Sequence, residues 1–181
     1  MAATGYALFP TPLGTCAIAW SALGVTDFWL PESDAAGTRA RVVERLSATP
    51  ESAPPPEVVT AIEAVCALLR GERTDLSFVA LDQSASSAFN RRVYAVTCGI
   101  GPGQTLTYGE VAQRLGHPGL ARAVGQALGA NPIPVIVPCH RVMAAGQRPG
   151  GFSAPGGSLT KLRLLAIEGA TPGGQGALFG V

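Results

Sequence analysis

Cys139 and His140 stand side by side in the segment Pro138-Cys139-His140-Arg141-Val142. The thiolate is the nucleophilic form of cysteine, and a neighbouring imidazole is one of the few groups that favours it. The pair also fits a buried structural cysteine beside a surface histidine. A third residue bears on the choice. Glu168 falls in the last turn of a helix expected over residues 158–169, where the macrodipole disfavours a negative charge by a few tenths of a kcal/mol. It lies close in angle to Leu164 and Leu165, so its carboxylate needs a partner, and a histidine would serve. A frayed, solvated glutamate is the other reading. Together, Cys139, His140 and Glu168 have the types of a nucleophile, its base and the group that orients the base.

The elements around these residues would have to deliver them to one place. The apolar run 133–137, broken only by Pro134, predicts a buried extended segment, and Pro138 should end its pairing and turn the chain. Consecutive residues of an extended segment point apart, so direct contact between sulfur and imidazole is not expected. Thr107 and Glu110 form a T-x-x-E capping box that opens a helix with Val111, Ala112 and Leu115 inward. Gly116-His117-Pro118-Gly119 breaks it, and a second helix should run over 120–128 with Leu120, Val124, Ala127 and Leu128 on one face. Arg122 sits about 200° from Leu120, on the exposed side near a helix N-terminus, where a recognition helix meets DNA. Many such helix pairs bind nothing. The apolar positions of the last helix are Leu159, Leu162, Leu165 and Ala166.

Earlier in the chain the pattern is α+β. Residues 15–20 and 25–30 read as strands flanking Leu23-Gly24, and 76–81 as a further strand. Residues 38–46 form a candidate helix with Val42, Val43 and Leu46 on one side. The proline-rich stretch 49–56 is a loop, and 57–70 is a helix with Val58, Ile62, Val65 and Leu69 at helical spacing. Helix resumes over 88–96 and stops at Gly99-Ile100-Gly101-Pro102-Gly103. That cluster is a turn, since neither the dinucleotide fingerprint nor GK[ST] follows it.

With 181 residues, 47% apolar and 14% charged, the chain can bury a sizeable core and is not disordered. No run approaches the roughly 20 apolar residues of a membrane span, and no signal peptide is evident. Cys16, Cys66, Cys98 and Cys139 form no CxxC pair, and with only His117 and His140 available no metal site is expected. Reduced thiols in the cytoplasm are the default. Net charge of +1 hides an asymmetry: residues 1–85 carry five arginines against ten acids, whereas 86–170 carry seven arginines and Lys161 against Glu110 and Glu168. A basic half suggests a polyanionic partner, although two ordinary charged faces would look the same.

At this point five motifs fall into one register. They are Thr107-Tyr108-Gly109-Glu110-Val111-Ala112, Ala121-Arg122-Ala123-Val124-Gly125, and Asn131-Pro132-Ile133-Pro134 leading into PCHRV. Gly151-Phe152-Ser153-Ala154-Pro155-Gly156-Gly157 and Leu164-Leu165-Ala166-Ile167-Glu168-Gly169 complete the set. In order and spacing, residues 103–169 resemble the DNA-binding and active-site domain of the O6-alkylguanine-DNA alkyltransferases, also called methylated-DNA–protein-cysteine methyltransferases. The resemblance implies an α+β fold: a ribonuclease-H-like supporting domain over 1–84, then a mostly helical winged-helix or helix-turn-helix domain over 85–170. A Gly-rich tail, 171–181, would follow.

It also implies roles. Cys139 would accept the alkyl group, with His140 as its base through a bridging water and Glu168 orienting the histidine. Asn131 would brace the turn that carries the cysteine. Tyr108 would crowd the neighbouring phosphate and donate a hydrogen bond toward the leaving base. Arg122 would fill the space left when the damaged guanine swings out of the duplex. Val142 and Ser153 would offer backbone contacts to the extrahelical guanine, flanked by Phe152 where relatives often have tyrosine. Asn90, Gly109, His117 and Ala145 would face the DNA, His117 standing where relatives usually have a small polar residue.

The implied partner is double-stranded DNA containing O6-alkylguanine, with O4-alkylthymine a further candidate. No cofactor, metal or membrane is implied, and the protein should be a monomer. Each molecule would act once, because a thioether has no obvious route back to thiol. Two other readings remain open, a cysteine hydrolase and a non-catalytic sensor of alkylated bases. Sensors of that kind typically carry tryptophan in place of the cysteine that is intact here.

Overall fold

The computed structural model describes residues 2–170; the tail 171–181 lies outside the described residues. The chain begins with an antiparallel meander of β1 (Gly5–Thr11), β2 (Gly14–Ser21) and β3 (Gly24–Trp29), joined by two-residue turns. Gly24 has φ of +137°, and a Cβ there would lie 2.3 Å from the Ala80 carbonyl oxygen, so only glycine fits. One sheet face meets α1 (Ala35–Arg45), capped by Asp34, through Tyr6, Ala17, Ala19 and Val42. Val43, expected inward, is about half exposed, because one residue along a helix turns the side chain by about 100°. The other face packs on α2 (Pro56–Leu69) through Ile18, Phe28, Val65 and Leu68.

Residues 76–81 form no strand. Asp75 accepts hydrogen bonds from the backbone and hydroxyl of Ser77, and a turn from Leu76 to Val79 follows. Such local bonds compete with sheet pairing, leaving a single bridge between Leu81 and Val25.

Four further α-helices lie in the second half: α3 (Ala88–Cys98), α4 (Tyr108–Arg114), α5 (Ala121–Gly129) and α6 (Gly157–Ile167). The Thr107–Glu110 capping box is present, with both reciprocal bonds made. A 3₁₀ turn, Pro118–Leu120, separates α4 from α5 and leaves Leu120 partly exposed rather than inward. Two-residue strands β4 (Leu106–Thr107) and β5 (Val142–Met143) pair in parallel. One cluster of buried apolar residues runs from Ala7 to Leu164, so both halves share a core. The two are also tied directly at β3, where the Phe28 amide donates to the Pro132 carbonyl at 2.9 Å.

Residues 133–137 are buried as expected but not extended. Pro134 supplies no donor, and the Asn131 side chain takes the place of a neighbouring strand. Its amide donates to the Val137 carbonyl, its oxygen accepts from the Ile133 N–H, each at 3.0 Å, and the Val137 N–H closes on the Ile133 carbonyl. Within this turn Val135 adopts φ of +74°, a costly conformation for a β-branched residue. After Pro138 the chain turns as expected, winding into a 3₁₀ turn, Cys139–Arg141, so the cysteine and histidine themselves are not extended.

Candidate active site

The 3₁₀ turn delivers Cys139 to the floor of a cavity of about 590 Å³. Tyr108 at the start of α4, Arg122 in the first turn of α5, and Phe152 and Ser153 from the loop before α6 line the same cavity. Gly125, Gly129 and Gly151 keep its walls low. These five sequence-predicted residues, drawn from four separate segments, therefore meet in one place. Close packing of backbone on Tyr108 is part of the design: a Cβ on Gly150 would sit 3.1 Å from the Tyr108 hydroxyl.

Behind the cysteine, His140 is wholly buried, and its Nε2 lies 2.8 Å from Glu168 Oε1. The expectation that Glu168 needs a partner and that a histidine serves is met. Arg141, which sequence reasoning left without a role, also holds the carboxylate: Nη2 donates to Oε1 at 2.8 Å and Nε to Oε2 at 2.9 Å. Its Nη1 donates to the Ile100 carbonyl, and the Gly103 N–H reaches Oε2 at 3.4 Å. The glycine-rich turn after α3 thus serves the site rather than any nucleotide. His140 Nδ1 has no hydrogen-bond partner among the described residues.

Lys161, the single lysine of the chain, is the second residue that the pattern did not single out. It is completely buried, donates from Nζ to the Val142 carbonyl at 2.5 Å, and lies 5.6 Å from the centroid of the Tyr108 ring. The inward stripe at α6 is Lys161, Leu164, Leu165 and Glu168; of the apolar positions of this helix Leu165 is buried, whereas Leu159, 70% exposed, and Ala166 face outward. A search for apolar periodicity slips here because two of the buried positions are charged. A lysine and a glutamate seven residues apart on one helical face were the available signal.

Burial governs the electrostatics. It pushes the Cys139 thiol up, against the downward pull of the Asn131 side chain and the Lys161 ammonium. Burial thus opposes ionisation of Cys139, and a base nearby would have to draw off its proton. Burial pushes His140 down and so favours neutral imidazole, with the Glu168 carboxylate pulling the other way. Burial would raise Glu168, but hydrogen bonds from His140 and Arg141 prevail and hold it at about 2. Lys161 is lowered to about 8 by burial, partly countered by Cys139. Tyr108 is raised by burial and by Cys139, which keeps its hydroxyl a donor.

The lowered Glu168 has a measurable consequence. Its stabilising contribution is complete above the ordinary value of 4.5 and is lost as pH falls from there to about 2. His140, neutral when buried, costs stability in the same direction once pH drops below 6.5. Urea unfolding across this range should therefore show stability falling by on the order of 3 kcal/mol from Glu168 alone. Glu168→Gln should be less stable at neutral pH and flatter in acid; an acid slope parallel to that of the wild type would refute the assignment.

Other expected contacts lie elsewhere. Gly109, His117 and Ala145 are exposed on the surface outside the cavity, and Asn90 is half-buried near the start of α3. The Val142 carbonyl already accepts from Lys161. Among the described residues no group of three or more metal-ligating side chains occurs. No helix among them is long and apolar enough to cross a membrane.

A cysteine lining a cavity, backed by a buried histidine–glutamate pair and rimmed by the α4–α5 helix pair, is an arrangement able to present sulfur to a bound substrate. A family profile described as "6-O-methylguanine DNA methyltransferase, DNA binding domain" matches residues 88–170. The methylated-DNA–protein-cysteine methyltransferase of Methanothermobacter thermautotrophicus is 38% identical over 125 residues, covering 69% of each chain. That of Mycolicibacterium paratuberculosis is 44% identical over 108 residues, 60% of this chain and 63% of the relative. The crystal structure of Mycobacterium tuberculosis OGT in complex with DNA superposes with a TM-score of 0.72 at 33% identity, covering 91% of this chain and 92% of that one. The chain belongs to the methylated-DNA–protein-cysteine methyltransferase family, and its mixed α/β fold is that of the OGT structures.

Proposed function

We propose that this protein repairs DNA by moving the alkyl group of O6-alkylguanine onto Cys139, once per molecule. The observation that carries the reading is the position of Cys139: it opens onto the cavity formed with Tyr108, Arg122, Phe152 and Ser153, while its neighbour His140 is held by Glu168. With Nε2 bonded to the carboxylate, Nδ1 is the nitrogen left to take the thiol proton through a water. Cys139 Sγ then attacks the O6-alkyl carbon, the carbon–oxygen bond breaks, and its electron pair returns to the guanine ring. The proton lost by the thiol balances the one that guanine regains. Tyr108, kept protonated, donates toward the developing charge on the base. Lys161 supplies positive charge near the sulfur as it ionises.

O6 is out of reach inside a stacked duplex, so the nucleotide must be rotated out at a cost of a few kcal/mol. Arg122, exposed on the first turn of α5 and at the cavity rim, is suited to the vacated space. Phe152 and the backbone at Ser153 would enclose the everted base, and Gly109, His117, Ala145 and Asn90 would contribute to the DNA-facing surface. Asn131 braces the turn beneath the cysteine. We also read residues 1–84 as a ribonuclease-H-like supporting domain and 85–170 as a winged helix-turn-helix unit. The three-stranded meander and the α4–α5 pair support that division. A cytoplasmic monomer acting without a cofactor completes the proposal.

Incubation with a duplex containing O6-methylguanine, followed by intact and peptide mass measurement, tests it. One added methylene mass per protein, on the Cys139 peptide, is expected. Binding without an adduct would favour the sensor reading, and sustained turnover would favour a hydrolase.

A further inference from the structure

We propose that Arg141 is a positioning residue for the transfer: by clamping both oxygens of Glu168 it fixes the carboxylate against His140 and limits how strongly that carboxylate favours the imidazolium. The inference rests on the alkyl-transfer reading. The geometry is that of a fork-to-fork ion pair. Nη2 meets Oε1 at 2.8 Å, Nε meets Oε2 at 2.9 Å, and Nη1 is anchored on the Ile100 carbonyl. Oε1 is the same atom that His140 Nε2 approaches at 2.8 Å. One carboxylate therefore serves two nitrogen groups on adjacent residues, all of them buried.

That sharing matters because of what His140 must do. A base can accept the thiol proton only if it is not already protonated. An unshared carboxylate 2.8 Å from a buried imidazole draws it toward the cationic form. The groups facing His140 are Glu168 and Lys161 from α6, and Cys139 and Arg141 from its own turn. Around Glu168 stand the Gly103 N–H, with Arg73 beside that glycine; Asp75 and Cys98 act on Arg141 at longer range. Two cations oppose the imidazolium and one carboxylate supports it. Removing Arg141 takes away one opponent and frees the supporter. Lysine would restore the charge but not the fork, since an ammonium is a single point of contact.

The test measures single-turnover methyl transfer from O6-methylguanine duplex against pH for wild type, Arg141→Gln and Arg141→Lys. The His140 imidazole is titrated by NMR in the same full-length proteins. In Arg141→Gln the acid limb and the His140 titration should both move up by about one pH unit, so transfer on the acid side falls about tenfold more than at the plateau. Arg141→Lys should shift both in the same direction by less. A purely structural arginine would lower the rate equally at every pH. An unmoved limb with an unmoved His140 titration, in whichever variant folds, overturns the proposal. A wild-type protein that takes up no methyl group refutes the alkyl-transfer reading instead, and the His140 titration still decides the clamp.

Discussion

Cys139→Ser protein should take up no measurable methyl group from O6-methylguanine duplex, while its binding to that duplex should stay within a few-fold of wild type. The substitution exchanges one atom in a side chain already buried at the cavity floor, so shape and packing hardly change. What changes is acidity and nucleophilicity. A serine hydroxyl is far harder to ionise than a thiol, and the same burial that pushes the thiol up would act on the alkoxide too. His140, lowered by burial, is too weak a base to bridge that gap. The rate should fall by about a thousandfold or more, in line with the loss of a nucleophile elsewhere. The other cysteines offer no substitute, because Cys16, Cys66 and Cys98 do not line the cavity. Rapid-quench assays with labelled duplex, alongside binding titrations, measure both quantities. Transfer that survives in Cys139→Ser would remove the sulfur from the mechanism.

Asn131→Ala should cost about 2–6 kcal/mol of stability, because it strands two buried backbone groups that each cost about 1–3 kcal/mol when unpaired. The Ile133 N–H loses its acceptor and the Val137 carbonyl loses its donor. The strained φ of Val135 is then no longer enforced, and the turn can relax toward a conformation that displaces Cys139. Transfer should slow as well, since the Asn131 amide also helps to stabilise the ionised sulfur. Asn131→Asp separates the two effects. Its carboxylate can still accept from Ile133, but it faces the Val137 carbonyl with no donor and sets a negative charge near the thiol. Its rate should therefore fall more than its stability. Urea unfolding and transfer assays provide the comparison; an alanine variant within 0.5 kcal/mol of wild type would show that the turn holds itself.

Much of this was readable from residue types. The capping box at Thr107 set the start of α4 because its bonds are local and reciprocal, and the glycine cluster after α3 stopped a helix for equally local reasons. Glu168, placed by angle beside Leu164 and Leu165, was rightly expected to seek a partner. The failures share a cause. Apolar character alone places Val43 and Leu120 inward, strand-like composition makes a strand of 76–81, and an apolar run broken only by Pro134 makes 133–137 extended. In each case a bond to a side chain or a small rotation decided the outcome, and neither is visible in apolar periodicity.

By itself, then, the order of residues determined which groups exist to do chemistry and which helices carry them: a thiol beside an imidazole, a carboxylate at a helix end, an arginine opening the second helix of a pair. Local bonding and periodicity suffice for that, because they act over a few residues. Only the tertiary structure decided that Arg141 shares Glu168 with His140, that Lys161 lies buried behind Tyr108, and that burial opposes ionisation of Cys139. Those outcomes depend on desolvation and on contacts between residues about 30 to 50 positions apart, which exist only once the second half has folded on its core.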